Sequence, residues 1–211
     1  MRQGGSNQLF QYWNRLRGNR AAPLRTEIEP SDIRTLLADT FILEKDGRGE
    51  ATFRLAGTRI CSHYGQELKS RAFCPLWSAQ DQARMARLVD HVFEQDAVVV
   101  LEFDGLTEQG RSVTFEAIIL PLSGGQEGPR ALGALFPLQK PFWLGADPVL
   151  ENQLHSFRLI DPDREPLFLG NRPEISVPPL SPHSMAADLP ETNRPLKKVR
   201  HLVVFEGGKV D

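Results

Sequence analysis

The feature that most constrains the fold is a succession of three strand-like runs, at residues 97–106, 111–122 and 130–138. Apolar side chains alternate along the middle run, as in a strand that buries one face. The alternating residues are Val113, Phe115, Ala117 and Ile119. Short turn-forming segments, Glu108-Gln109-Gly110 and Ser123–Gly128, separate the runs. The pattern predicts three consecutive strands joined by turns.

A helix and a hairpin are predicted before these strands. Thr40–Lys45 and Glu50–Ala56 flank the turn Asp46–Gly49, which is typical of a hairpin. Alternate positions along each strand are apolar, so one face of the hairpin can be buried: Phe41, Leu43, Phe53 and Leu55. A longer helix follows Ser78, its predicted N-cap, with Asp81 in the position of a capping box. Its apolar residues have helical spacing: Met85, Leu88, Val89, Val92 and Phe93.

The N-terminal segment predicts another amphipathic helix, over residues 7–17, with Leu9, Phe10, Trp13 and Leu16 on one face. A second, shorter helix is predicted to open at Pro30. The helix over residues 7–17 has about 11 residues, and a helix of that length is marginally stable alone in water. Its apolar face must therefore pack against another surface. We expect Leu9, Trp13 and Leu16 to form an interaction surface that makes the protein a homodimer.

Composition excludes several classes of function. The formal net charge of -2 argues against a nucleic-acid partner, which usually requires a strongly basic face. The longest apolar runs fall far short of the roughly 20 residues of a membrane span, so no membrane partner is expected. The chain has two cysteines, Cys61 and Cys74, whereas secreted domains that depend on disulfides usually have more. We therefore expect a cytoplasmic protein with reduced thiols.

Sequence motifs typical of catalysis occur without the other residues that they require. Leu122–Gln126 matches the signature motif of ATP-binding-cassette ATPases. The sequence has no phosphate-binding Gly-x-x-x-x-Gly-Lys-Ser/Thr loop to accompany it. No Gly-x-Ser-x-Gly nucleophile elbow is present, and the histidines lack metal-ligand spacing. Glu102, Asp104 and Glu116 are expected on a solvent-exposed sheet face. We therefore assign no catalytic residue, metal or cofactor, and do not expect an enzyme.

Short sequence motifs occur in the middle of the chain, at Gly57–Cys61, Gly65–Lys69, Phe73 and Leu76-Trp77, and the first helix carries the pair Tyr12-Trp13. Together these motifs resemble a bacterial family of PAS-like proteins common in alphaproteobacteria. The resemblance covers about residues 6–145. It implies an α+β fold, a five-stranded antiparallel sheet with helices on one face, plus an N-terminal helix outside the core. The expected parts are a flanking helix at 1–22, a PAS-like domain at 23–145, a proline-rich extension at 146–198 and a tail at 199–211.

The resemblance also implies a signalling or protein-interaction role in histidine-kinase or cell-cycle signalling, with a protein partner such as a sensor kinase. The alternative is a small-ligand sensor with an apolar cavity. Candidate cavity residues are Phe41, Phe53, Leu55, Ile60, Tyr64, Trp77, Met85, Phe103, Phe115 and Phe136. A void lined by polar tips would favour the sensor, whereas a filled core would favour the adaptor. Nearby, His63 and Cys61 raise the minor alternatives of haem and flavin binding.

The C-terminal part changes character. Half of the 16 prolines lie between Pro162 and Pro195, which predicts an extended or disordered linker. Beyond it, Val199–Glu206 is strand-forming and apolar. An exposed apolar strand tends to pair with something, so we expect this run to add to a sheet edge. The edge could be its own, a second protomer's or a partner's, with Leu202 and Val204 on one side of the strand.

Overall fold

The computed structural model describes residues 1–124, 128–163, 197–199 and 202–204. Its centre is a six-stranded sheet of order β2-β1-β5-β4-β3-β6, in which all neighbours are antiparallel. The strands are β1 (Thr40–Lys45), β2 (Ala51–Ala56), β3 (Val98–Thr107), β4 (Ser112–Leu122), β5 (Arg130–Pro137) and β6 (Val149–Ile160). The helices are α1 (Gly4–Arg17), α2 (Thr58–Tyr64) and α3 (Ala79–Gln95).

The α+β class and the antiparallel sheet are confirmed, but the expected number of five strands is wrong. The sixth strand, β6, lies in the segment assigned to the proline-rich extension and pairs with β3 from Val98↔Ile160 to Thr107↔Val149. Only Val149, Asn152 and Ile160 of this edge strand are buried. Because so few of its positions face a core, β6 has no regular apolar alternation to reveal it.

Helices α2 and α3 cover the first face of the sheet. The predicted apolar stripe of α3, Met85 to Phe93, is buried there. The start of α3 differs from a capping box, since the Ser78 side chain caps no backbone group. Its hydroxyl instead donates to Asp81 Oδ2 at 2.8 Å, and the Leu154 amide of β6 donates to the same oxygen at 3.0 Å. This pair fastens the helix to the edge strand.

Helix α1 covers the opposite face, which corrects the expectation that it lies outside the core. Leu9 and Trp13 are fully buried against β4 and β5, and Leu16 is partly buried. The Trp13 indole N–H donates to the Pro121 carbonyl of β4 at 2.7 Å. The apolar stripe is therefore occupied by the protein's own sheet, and the reason for expecting a homodimer through it does not hold.

The segment that follows α1 is helical only in single turns. The shorter helix predicted from Pro30 is resolved into two 3-10 turns, Pro30–Ile33 and Leu37–Asp39. Ile33 and Leu36 are buried in the cluster beneath α1. Helices thus lie on both faces of the six-stranded sheet, which makes this domain three-layered where α1 covers the sheet. No helix among the described residues is long and apolar enough to cross a bilayer.

Glu116 was expected on a solvent-exposed face, but it is buried beneath α1. It is only 2% exposed, because α1 lies over its face of β4. Its carboxylate accepts hydrogen bonds from the backbone amides of Arg2 and Gln3, at 2.6 and 3.1 Å. These amides precede the first turn of α1, where backbone donors have no partner within the helix. Glu116 therefore anchors the N-terminus of α1 to the sheet.

The C-terminal residues form a separate compact unit, Gly170–Asp211. Its two described strands, β7 (Lys197–Val199) and β8 (Leu202–Val204), pair antiparallel with each other. Leu202 and Val204 lie in β8, which pairs with β7. Residues 164–196 of the proline-rich extension and residues 200–201 and 205–211 of the tail lie outside the described part of the chain.

We predict that Trp13→Ala lowers the free energy of unfolding by about 3–5 kcal/mol, because it removes a large side chain from a packed interface. Denaturant unfolding measures the change. Phe142→Ala is the matched control, since Phe142 is exposed and its loss should leave stability almost unchanged. Equal stability of the two variants would show that α1 does not pack on the sheet.

Candidate functional site: the aromatic core beneath α2 and α3

The candidate cavity residues converge on one cluster, with two exceptions. Between the first face of the sheet and helices α2 and α3, the structure brings together Phe41, Phe53, Ile60, Tyr64, Trp77, Met85, Phe103 and Phe115. All of them, including Trp77, are buried. Strands supply the phenylalanines, α2 supplies Ile60 and Tyr64, and α3 supplies Met85.

The exceptions are Phe136 and Leu55, and the register of the sheet explains both. Phe136 shares its strand parity with Leu132 and Ala134, so it packs on the opposite face, against Gly5 of α1. Leu55 follows an irregularity in the pairing of β1 with β2, which shifts the register between Ile42 and Leu43. The shift turns Leu55 away from Phe53 and leaves it 47% exposed.

Aromatic rings form a continuous row through this core. Successive ring centroids are 5.7 Å apart for Phe41–Phe53, 5.6 Å for Phe53–Phe73, 5.8 Å for Phe73–Trp77, 4.7 Å for Trp77–Phe103 and 5.5 Å for Phe103–Phe115. These separations are those of favourable edge-to-face and offset ring pairs. A β-carbon at Gly133 would overlap the Phe41 ring, so glycine there allows this ring to lie flat on β5. The row fills the space where a ligand would lie.

The void that remains is small. It has a volume of about 20 Å³ and is lined by apolar residues together with Tyr64, Trp77 and Asn152. A water molecule needs roughly 10–15 Å³ measured in this way, whereas small-molecule pockets usually span about 300–1,000 Å³. The core therefore has room for about one water molecule, and neither haem nor a flavin fits without rearrangement of the aromatic row.

A buried polar pair lies at the edge of the void. The Tyr64 hydroxyl and the Asn152 side-chain amide are hydrogen-bonded to each other. The hydroxyl donates to Asn152 Oδ1 at 3.2 Å, and its oxygen accepts from Asn152 Nδ2 at 3.0 Å. Burial raises the pKa of Tyr64, so the phenol stays protonated. The backbone carbonyl of Asn152 also accepts from Ser78 N at 2.8 Å. Asn152 was missed in the sequence because no pattern identified β6 as a strand.

His63 lies near the other end of the aromatic row. It is 5% exposed, and its ring centroid is 5.5 Å from that of Phe115. Neither imidazole nitrogen has a hydrogen-bond partner among the described residues. Burial lowers the pKa of His63, Arg59 and Lys140 lower it further, and Asp39 opposes them. A neutral imidazole packed on a phenyl ring acts here as part of the core.

The two cysteines are free thiols in partly buried positions. Burial raises the pKa of both Cys61 and Cys74, which favours the unreactive protonated form. Cys61 Sγ donates to the Ala56 carbonyl at 3.8 Å. Among the described residues, no group of three histidines, cysteines or carboxylates is arranged to hold a metal ion. The arrangement is suited to packing and offers no activated nucleophile.

We predict that Asn152→Leu lowers the free energy of unfolding by about 1–3 kcal/mol, because it leaves the buried Tyr64 hydroxyl without a partner. Adding Tyr64→Phe should recover part of this loss, since an apolar pair leaves no unsatisfied group. Denaturant unfolding of the two single variants and the double variant measures the coupling. Simple additivity of the two single losses would contradict the pairing.

His63 predicts a pH dependence of stability. Its pKa is below the ordinary 6.5 in the folded state, so the unfolded chain takes up a proton more readily. Neutral His63 therefore makes its full contribution to the free energy of unfolding above about pH 6.5. This contribution is lost as the pH falls below that value, because the unfolded chain binds the proton first. When the pH is lowered from roughly 7.5 to 5, the free energy of unfolding should therefore fall less for His63→Leu than for the parent protein. His91→Leu, at a partly buried position of α3, is the control, and an unchanged pH profile for His63→Leu would contradict the prediction.

Comparisons with known proteins give one family match and several similar solved structures. A family model described as a PAS domain matches residues 1–136. A LOV protein of Rhodobacter sphaeroides has 11% identity and a TM-score of 0.39, over 55% of this chain and 71% of that one. The PAS domain of a Colwellia psychrerythraea protein has 17% identity and a TM-score of 0.38, over 54% and 100%.

A sensory box histidine kinase/response regulator of Burkholderia thailandensis has 17% identity and a TM-score of 0.32, over 52% of this chain and 85% of that one. A search of curated proteins gave no match. The family match extends from α1 to β5 and so includes the helix on the second sheet face. On that match, the chain belongs to the PAS domain family.

Proposed function

We propose that this chain is a non-catalytic PAS adaptor that acts in the cytoplasm by binding a protein of histidine-kinase signalling. PAS domains are signalling modules and sensors, which supports a signalling role. The two free cysteines suit a reducing compartment. The kinase is proposed from the sequence resemblance to PAS-like adaptors that modulate histidine kinases.

The filled core is the observation that favours an adaptor over a small-ligand sensor. The aromatic row occupies the centre of the domain and leaves a void of about 20 Å³. A sensor would need a cavity in which convergent polar groups fix a ligand. The polar tips at this void, Tyr64 and Asn152, bond to each other instead. Signal transfer through a protein contact requires no such cavity.

The core can be used to separate the two functions. Ala117 lines the void, so Ala117→Val fills it, whereas Ala134→Val adds the same methyl groups beneath α1 on the other face. An adaptor should keep its protein partner in both variants, provided that thermal unfolding shows both to be folded. Loss of the partner in folded Ala117→Val alone would contradict the proposal and favour a ligand sensor.

We predict that the tagged chain, affinity-purified from the bacterium that encodes it, enriches a histidine kinase and carries no stoichiometric small molecule. Mass spectrometry of the co-purified proteins tests the first part. Native mass spectrometry of the purified chain tests the second, with the mass under denaturing conditions as the control. A stoichiometric bound mass without any enriched signalling protein would overturn the proposal.

A further inference from the structure

The second face of the sheet is not covered along its whole width. Helix α1 packs on β4 and β5, and beyond it the outer face of β1 and β2 is open. A groove of about 610 Å³ lies there. Its floor includes Ile42 and Leu55, and its wall includes Pro30, Ile33 and Leu37 of the two 3-10 turns.

The groove exposes large apolar side chains side by side. Leu37 is 39% exposed and Leu55 is 47% exposed, and Ile28 and Ile42 are only partly buried. Leu55 faces the groove because the irregular pairing of β1 with β2 turns it away from the aromatic core. Apolar side chains grouped in a concave surface with a polar rim are typical of a protein-interaction site.

The rim of the groove is basic. Arg34 lines the groove itself. A hollow that shares Ile42 and Leu55 with it adds Arg25, Arg54 and Lys69. Arg54 pairs with Glu44 at 3.3 Å, whereas Arg34 and Lys69 have no ion pair in the part of the chain that the structure describes. The rim therefore presents cationic groups that an acidic partner would neutralise.

The geometry also limits how a partner can bind. Strand β2 is the sheet edge at this end, but the nearby segment Ser70–Phe73 already pairs with part of it. Phe53 N donates to Arg71 O at 2.9 Å, Ser70 N donates to Phe53 O, and Phe73 N donates to Ala51 O at 2.8 Å. An extended peptide cannot add to this occupied stretch. A helix laid across the side chains of the floor needs no free strand edge.

A second copy of this chain does not supply such a helix from its described residues. The apolar faces of α1 and α3 are both buried in the protein's own core. Neither helix is therefore free to occupy the groove. Resting on the adaptor function proposed above, we propose that this groove docks an acidic amphipathic helix of the partner. Its apolar side chains contact Leu37 and Leu55, and its carboxylates pair with Arg34 and Lys69.

Two synthetic peptides of about 16 residues test the chemistry. Both carry leucines at i, i+3, i+4 and i+7 spacing, and the other positions are mainly glutamate in one peptide and mainly lysine in the other. Each is titrated into the full-length, isotopically labelled protein and followed by NMR. The acidic peptide should bind and shift the signals of residues 28–42 and 54–58. Equal binding of both peptides, or shifts centred elsewhere, would overturn the proposal.

Matched substitutions locate the site. Leu55→Asp and Arg34→Glu should each weaken binding of the acidic peptide by about tenfold or more, which is about 1.4 kcal/mol. Leu159→Asp changes an equally exposed leucine, 54% accessible, on the opposite edge of the sheet, and Arg87→Glu reverses an exposed charge on α3. These controls should bind as the parent protein does. Thermal unfolding verifies that each variant is folded, and equal losses in test and control variants would refute the site.

The same variants separate this inference from the proposed function. A histidine kinase that is still enriched by folded Leu55→Asp and Arg34→Glu would leave the adaptor function standing and refute the groove. Failure of the parent chain to enrich any signalling protein would refute the adaptor function, whatever the peptides do. Sedimentation of the parent chain is a further check, because self-association abolished by Leu55→Asp would identify a second copy as the occupant and overturn the proposal.

Discussion

The packing of α1 on the second face of the sheet is the constraint on which much of the structure depends. It buries Trp13 and Leu9, makes β4 a strand covered on both faces, and takes Glu116 out of solvent. The Glu116 carboxylate is stable in that position because it accepts two backbone hydrogen bonds at the start of the helix. Without α1, an apolar face of the central strands would be exposed to water.

This packing divides the sheet into surfaces with different roles. The first face carries the aromatic row under α2 and α3, and its close packing leaves no space for a ligand of ordinary size. The covered part of the second face stabilises the domain. What remains open is the outer face of β1 and β2, where apolar side chains and arginines lie together. How far α1 extends across the sheet therefore determines which part of the second face stays open.

Local patterns predicted the fold where an element is amphipathic. Helix α3 and strands β1 to β5 were predicted because their apolar residues recur at helical or strand spacing, and most of these positions are buried in the structure, with Leu55 as an exception. Most of the candidate cavity residues also met in one core. The edge strand β6 was not counted, since it buries few side chains. Asn152, which satisfies Tyr64 and receives Ser78 N, was missed with it.

The sequence by itself determined the family, the class of fold and the aromatic residues of the core, because these depend on local spacing and on local words. Tertiary structure decided which surface covers each apolar stripe. The stripe of α1 was interpreted as a homodimer surface, but long-range packing places it against the protein's own sheet. Likewise, one irregular step in β1–β2 pairing decides that Leu55 faces outward. Such outcomes depend on register and on contacts between distant residues, which local periodicity does not encode.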